Sequence, residues 1–107
     1  MSEWTDVATL DELWEGDIRA VTVGAELILL AHLPGGEVRA YQGECPHSRF
    51  PLASGELAGD VLTCAGHGWE FDLRTGQGVN PGNCSLQAFP IRVAGEQISV
   101  SISGVRA

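Results

Sequence analysis

Two short pairs of potential metal ligands, Cys45-Pro46-His47 and Cys64-Ala65-Gly66-His67, stand in the middle of a chain of 107 residues. A chain of this length supports one compact domain around one core. That core must leave room to bring the two pairs together. Sixteen residues separate His47 from Cys64, enough for a strand that returns through Val61-Leu62-Thr63. The two pairs are therefore expected on neighbouring loops joined by a hairpin-like path, each loop presenting one thiolate and one imidazole.

The rest of the chain is punctuated for strands. Fourteen glycines and five prolines call for many turns and leave little room for long helices. Ile18 to Val23 and Leu27 to Leu33 are strand-like runs divided by a turn at Gly24. The second is continuously apolar over most of its length, as expected of a strand buried on both faces. Pro34-Gly35-Gly36 turns the chain into a strand over Val38 to Tyr41. Apolar residues lie two apart in Trp69-Glu70-Phe71-Asp72-Leu73-Arg74 and in Ile98-Ser99-Val100-Ser101-Ile102-Ser103, the period of half-buried antiparallel strands. Phe89, Ile91 and Val93 repeat that period, and Ala94-Gly95-Glu96 can fold their strand back onto Ile98. Thr9-Leu10-Asp11-Glu12 has the spacing of a capping box, which predicts one short helical turn after the first strand. The pattern predicts an all-β fold, an antiparallel β-sandwich of short strands.

Between Gln42 and Cys84 the texture changes. This stretch is rich in Gly, Pro and Ser and holds all three cysteines and two of the three histidines. Irregular segments of this length in a compact domain usually carry function. Three cysteines make a poor disulfide framework, and Cys beside His points to metal in a reducing compartment. Two chemistries use two cysteines and two histidines. A tetrahedral zinc accepts Cys2His2 when all four ligands converge on one ion. A [2Fe–2S] cluster with two Cys on one iron and two His on the other requires each loop to deliver its Cys to the inner iron and its His to the outer one. Gly66 and Gly68, flanking the second histidine, would let backbone N–H groups approach sulfur closely. Trp69 could shield such a centre from water or simply begin the alternating strand.

Cys45-Pro46-His47, Cys64-Ala65-Gly66-His67-Gly68-Trp69 and the following Phe71-Asp72-Leu73-Arg74-Thr75-Gly76 resemble the signature of the Rieske family, C-x-H followed by C-x-x-H with its strand and turn. Within that family the chain is most similar to the ferredoxin component of diiron monooxygenases of the toluene 4-monooxygenase type, which oxidise aromatic compounds, alkenes or isoprene. Ala40-Tyr41-Gln42, Thr63-Cys64, Trp69, Gly78-Val79-Asn80-Pro81 and Cys84 carry this likeness, while Gly68 departs from it, since a bulkier apolar residue is expected there. The resemblance implies a Rieske-type β-sandwich with a small cluster-binding subdomain inserted at about residues 42–84, and one [2Fe–2S] cluster. Cys45 and Cys64 would bind the inner iron, and His47 and His67 the outer one. It implies electrons received from an NADH-dependent flavin/iron–sulfur reductase and passed to a diiron hydroxylase, the chain itself being a carrier and not an enzyme. The second cysteines that cross-link the loops of respiratory Rieske proteins are absent, with Ser48 and Gly68 following the two histidines. A potential at the low end of the class range, roughly −150 to +300 mV, is therefore expected. A Rieske ring-dioxygenase ferredoxin, a Cys2His2 zinc module and a non-catalytic reductase subunit are the alternatives.

Fourteen acidic against six basic residues give a formal net charge of −8. That charge repels nucleic-acid phosphate and anionic lipid, and favours either solubility or docking on a basic protein surface. Met1-Ser2-Glu3-Trp4-Thr5-Asp6 has no secretory pattern and no apolar run approaches a membrane span. A cytoplasmic monomer is expected. No nucleophile–base constellation or phosphate loop is present; Gly55-Glu56-Leu57-Ala58-Gly59 does not match G-x-G-x-x-G. Cys84 reads as a small buried hydrophobe near the metal segment, His32 as structural or rim-exposed, and Asp72 with Arg74 as a turn-stabilising pair.

Overall fold

Alternating residues and glycine-bearing turns produce short strands throughout the computed structural model, which describes residues 4–45, 51–65, 68–80, 82 and 84–101. In chain order the strands are β1 (Thr5–Thr9), β2 (Ile18–Val23), β3 (Glu26–His32), β4 (Val38–Gln42), β5 (Glu56–Ala58) and β6 (Val61–Thr63). They continue with β7 (Glu70–Asp72), β8 (Gly78–Asn80), β9 (Ala88–Phe89), β10 (Ile91–Ala94) and β11 (Gln97–Val100). They form three sheets with strand orders β1-β11-β10, β2-β3-β4-β9 and β5-β6-β7-β8, and every pairing is antiparallel. Two-residue turns close the β2–β3 and β10–β11 hairpins, with Gly24 at φ 61° and Gly95 at φ 63°, a region most side chains avoid.

The middle sheet lies between two cores, and β3 shows how. Ile28 and Leu30 pack with Ala8, Leu13, Phe89, Ile98 and Val100, toward the β1-β11-β10 sheet. Leu29 and Ala31, pointing the other way, pack with Tyr41, Leu62, Phe71, Leu73 and both Cys45 and Cys64. Register enforces the division. Leu30 pairs with Ala40 on one face, and Leu29 with Tyr41 on the other. The antiparallel sandwich expected from the sequence is present, and its second core includes both Cys45 and Cys64.

Several boundaries differ from expectation. β3 starts and stops one residue earlier than Leu27 to Leu33. The strand expected over Trp69 to Arg74 ends at Asp72, because the Asp72 carboxylate accepts the Arg74 N–H (2.9 Å) and its carbonyl accepts the Gly76 N–H (2.7 Å). Asp72 thus shapes the turn through backbone groups, not by pairing with the Arg74 guanidinium. Phe89, Ile91 and Val93 do not share a strand. The chain leaves the middle sheet at Pro90, Phe89 pairing with Ala40 and Ile91 with Val100 of another sheet. Leu10–Glu12 forms the short helical turn, where the Glu12 carboxylate accepts the Thr9 N–H at 3.1 Å. Ile102 and Ser103 lie outside the described residues.

Candidate metal centre

Each of the two cysteines opens a loop whose ends are pinched together by the backbone. Cys45 follows Gln42 of β4. Glu44 bridges to Pro51, and the Leu52 N–H donates to the Gly43 carbonyl (2.9 Å). Cys64 follows β6 directly, its N–H donating to the Trp69 carbonyl (2.7 Å) while its own carbonyl accepts the Gly68 N–H (3.0 Å). Sequence reasoning expected a strand returning through Val61–Thr63, and β6 occupies those residues. The loops therefore start from different sheets, the first from the middle sheet and the second from the β6–β7 hairpin.

Both thiols are buried, Cys45 at 2% and Cys64 at 1% relative exposure, within the same core cluster, and neither is tied into a disulfide. Buried thiols are usually inert core residues. Here each begins a loop whose flanks are joined by backbone contacts. Their predicted partners His47 and His67 lie outside the described residues, as do Pro46, Ser48 and Gly66. Among the described residues no group of three or more His, Cys, Asp or Glu could hold a metal ion. The structure thus brings the two thiols of the predicted site into one core cluster.

Two glycines for which no part in the site was expected, Gly43 and Gly55, permit this close packing. A Cβ on Gly55 would stand 2.1 Å from the Thr63 carbonyl oxygen, and one on Gly43 2.7 Å from that of Leu27. Gly55 therefore lets the chain after the first loop run against the residue that precedes Cys64. A cleft of about 430 Å³, lined by Ser54, Gly55, Glu56, Thr63, Cys64, Ala65 and Gly68, puts the second loop next to solvent although Cys64 itself is buried.

Behind the loops, the Tyr41 hydroxyl on β4 donates to the Leu73 carbonyl just past β7 (2.6 Å). Burial raises the Tyr41 pKa above its usual value of 10.0, so the phenol keeps the proton it donates. Trp69 is half-buried against this core, its ring centroid 6.5 Å from that of Phe71. Cys84 is also half-buried on the same core, less enclosed than expected. His32 is structural. Its Nδ1 donates to the Leu13 carbonyl (2.8 Å), which can only accept.

Paired antiparallel sheets carry two thiol-bearing loops, and two soft donors suit iron–sulfur or zinc chemistry. Comparison with known proteins decides between them. The family description "Rieske [2Fe-2S] domain" matches residues 3–90. The ferredoxin component of the alkene monooxygenase system of Xanthobacter autotrophicus is 41% identical over 92% of this chain and 80% of its own length. The biphenyl dioxygenase ferredoxin subunit of a Pseudomonas species is 32% identical over 94% of this chain and 93% of its own length. Among solved structures, the ferredoxin of carbazole 1,9a-dioxygenase from Nocardioides aromaticivorans superimposes with a TM-score of 0.84 at 29% identity, covering 94% of this chain and 98% of that one.

The chain belongs to the Rieske [2Fe–2S] family. It carries one Rieske-type [2Fe–2S] cluster, the centre of an electron carrier, and the relatives named above are ferredoxin components of oxygenase systems. The zinc-module alternative is thereby set aside. Among the described residues no helix is long and apolar enough to cross a membrane.

Proposed function

We propose that Cys45 and Cys64 ligate the inner iron of the cluster and His47 and His67 the outer one, within a cluster-binding subdomain of about residues 42–84. The protein then works as a cytoplasmic monomer that accepts one electron at a time from an NADH-dependent flavin/iron–sulfur reductase. It delivers them to the diiron hydroxylase of an alkene or aromatic monooxygenase. When bound, the cluster supplies a one-electron couple. The chain's own residues bury the two cysteines and close the loops that follow them, and His47 and His67 would carry electrons out of the cluster.

The observation that carries the partner assignment is the likeness to the Xanthobacter alkene monooxygenase ferredoxin component along nearly the whole chain. A second reading, the ferredoxin of a ring-hydroxylating dioxygenase system, is favoured by the naphthalene and biphenyl dioxygenase relatives. Reconstitution separates the two. The purified protein is mixed with an NADH-dependent reductase and either a diiron hydroxylase or a Rieske dioxygenase, and product formation per NADH is measured. The proposal expects coupled turnover with the diiron hydroxylase. Turnover only with the dioxygenase would move the assignment to the second reading, and turnover with neither would contradict both.

A further inference from the structure

A single guanidinium gathers three turns at the end of the molecule opposite the cysteine loops. Arg74 Nε donates to Asp60 Oδ2 (2.7 Å), Nη1 to Glu37 Oε1 (3.0 Å), and Nη2 to the Pro34 carbonyl. Pro34 and Glu37 belong to the β3–β4 turn, Asp60 to the β5–β6 turn and Arg74 itself to the turn after β7. The Leu73 N–H adds a bond to the Asp60 carbonyl (2.8 Å).

Those turns are the far ends of the strands that carry the cysteines. β4 runs from beside Glu37 toward Cys45, a strand of roughly 17 Å at the usual rise per residue. β7 runs from the Cys64 loop back to Arg74. The cysteine loops grow from different sheets, so their separation depends on how one sheet is rotated against the other. Apolar packing between the sheets is non-directional and leaves that rotation to directional contacts. The Arg74 fork is rigid and planar, and with the Tyr41–Leu73 bond it ties β4 to the β7 turn.

We propose that Arg74 is a positioning residue that sets the relative placement of the two cysteine loops from the opposite end of the molecule. This rests on the reading that both loops hold the one cluster. The two ion pairs are half-exposed and the Pro34 contact is exposed, and such pairs contribute little to global stability. The consequence of losing them falls on the uniformity of the cluster's surroundings more than on folding.

The test compares the unaltered protein with Arg74→Gln, Arg74→Lys and Arg92→Gln. Arg92, over the Trp4 ring at 4.6 Å, lies on β10 in another sheet and serves as a control. Thermal melting, iron content, the line width of the dithionite-reduced EPR signal and the rate of iron loss to a chelator are measured. Arg74→Gln is expected to melt close to the unaltered protein and keep its iron, with a broadened EPR signal and iron loss about fivefold faster. Arg74→Lys, which keeps an ion pair but not the fork, should fall between. If Arg74→Gln does not fold, Asp60→Asn removes one arm and carries the same expectation; Glu37 also pairs with Arg39 and is left unaltered. Unchanged line shape and iron loss would overturn the proposal, as would the same changes in Arg92→Gln. An unaltered protein that binds no iron would overturn the cluster reading and this proposal with it.

Discussion

Tyr41 and Gly55 show how single residues hold the site without touching a metal. The Tyr41 hydroxyl donates a hydrogen bond to the Leu73 carbonyl in a region sealed from solvent. Tyr41→Phe leaves that carbonyl unpaired and is expected to cost about 1–2 kcal/mol in denaturant unfolding. Because burial raises the folded-state pKa above 10.0, the unfolded chain loses the tyrosine proton first. This contribution to stability is intact below pH 10, the unfolded value, and declines as pH rises through the higher folded pKa. Unfolding curves from neutral to strongly alkaline pH should show the decline in the native chain, and its phenol-dependent part should be missing from Tyr41→Phe. Gly55 makes a different contribution. A side chain there meets the Thr63 carbonyl, so Gly55→Ala should displace the strand leading into Cys64, lose about 1–3 kcal/mol and lower the iron bound per chain. Full iron occupancy with unchanged stability would show that the close approach is dispensable.

At the scale of elements, β3 divides the molecule. Leu29 and Leu30 are both fully buried neighbours, yet they enter different cores. Truncating either to alanine should cost about 2–5 kcal/mol, but only Leu29→Ala opens the core that contains the cysteines. The visible absorption and EPR of the bound cluster should change in Leu29→Ala and stay as they are in Leu30→Ala. Equal spectral effects would mean that the two cores are not separate. The two-faced burial of β3 was legible because its residues form an unbroken apolar run, and the cysteine loops because Cys and His recur at short spacing. Other features were not. The period of two continues through Phe89, Ile91 and Val93 as though no boundary existed. What ends the pairing is Pro90, which has no N–H to give a ladder and stands where the chain changes sheet. The Arg74 fork joins residues 14 to 40 positions apart, and no local pattern in the sequence records such contacts.

The whole molecule is a small acidic carrier whose two cysteines follow strands of two different sheets. A net charge of −8 should speed encounter with a basic partner surface at low ionic strength. In the reconstituted system, the rate constant for reduction of the terminal oxygenase should fall as salt rises from about 0.01 to 0.5 M, as screening shortens from roughly 30 Å to a few ångströms. A rate indifferent to salt would assign the charge to solubility alone. The central claim, that Cys45, His47, Cys64 and His67 hold one Rieske cluster, is tested most directly by EPR after dithionite reduction, with iron and zinc analysis of the same sample, in the native chain and in His47→Ala and His67→Ala. The account predicts about two irons per chain, no stoichiometric zinc, and a rhombic signal whose average g lies below that of all-cysteine clusters. Either histidine substitution should abolish or transform that signal. Zinc in place of iron, or an unaltered signal in both variants, would contradict it.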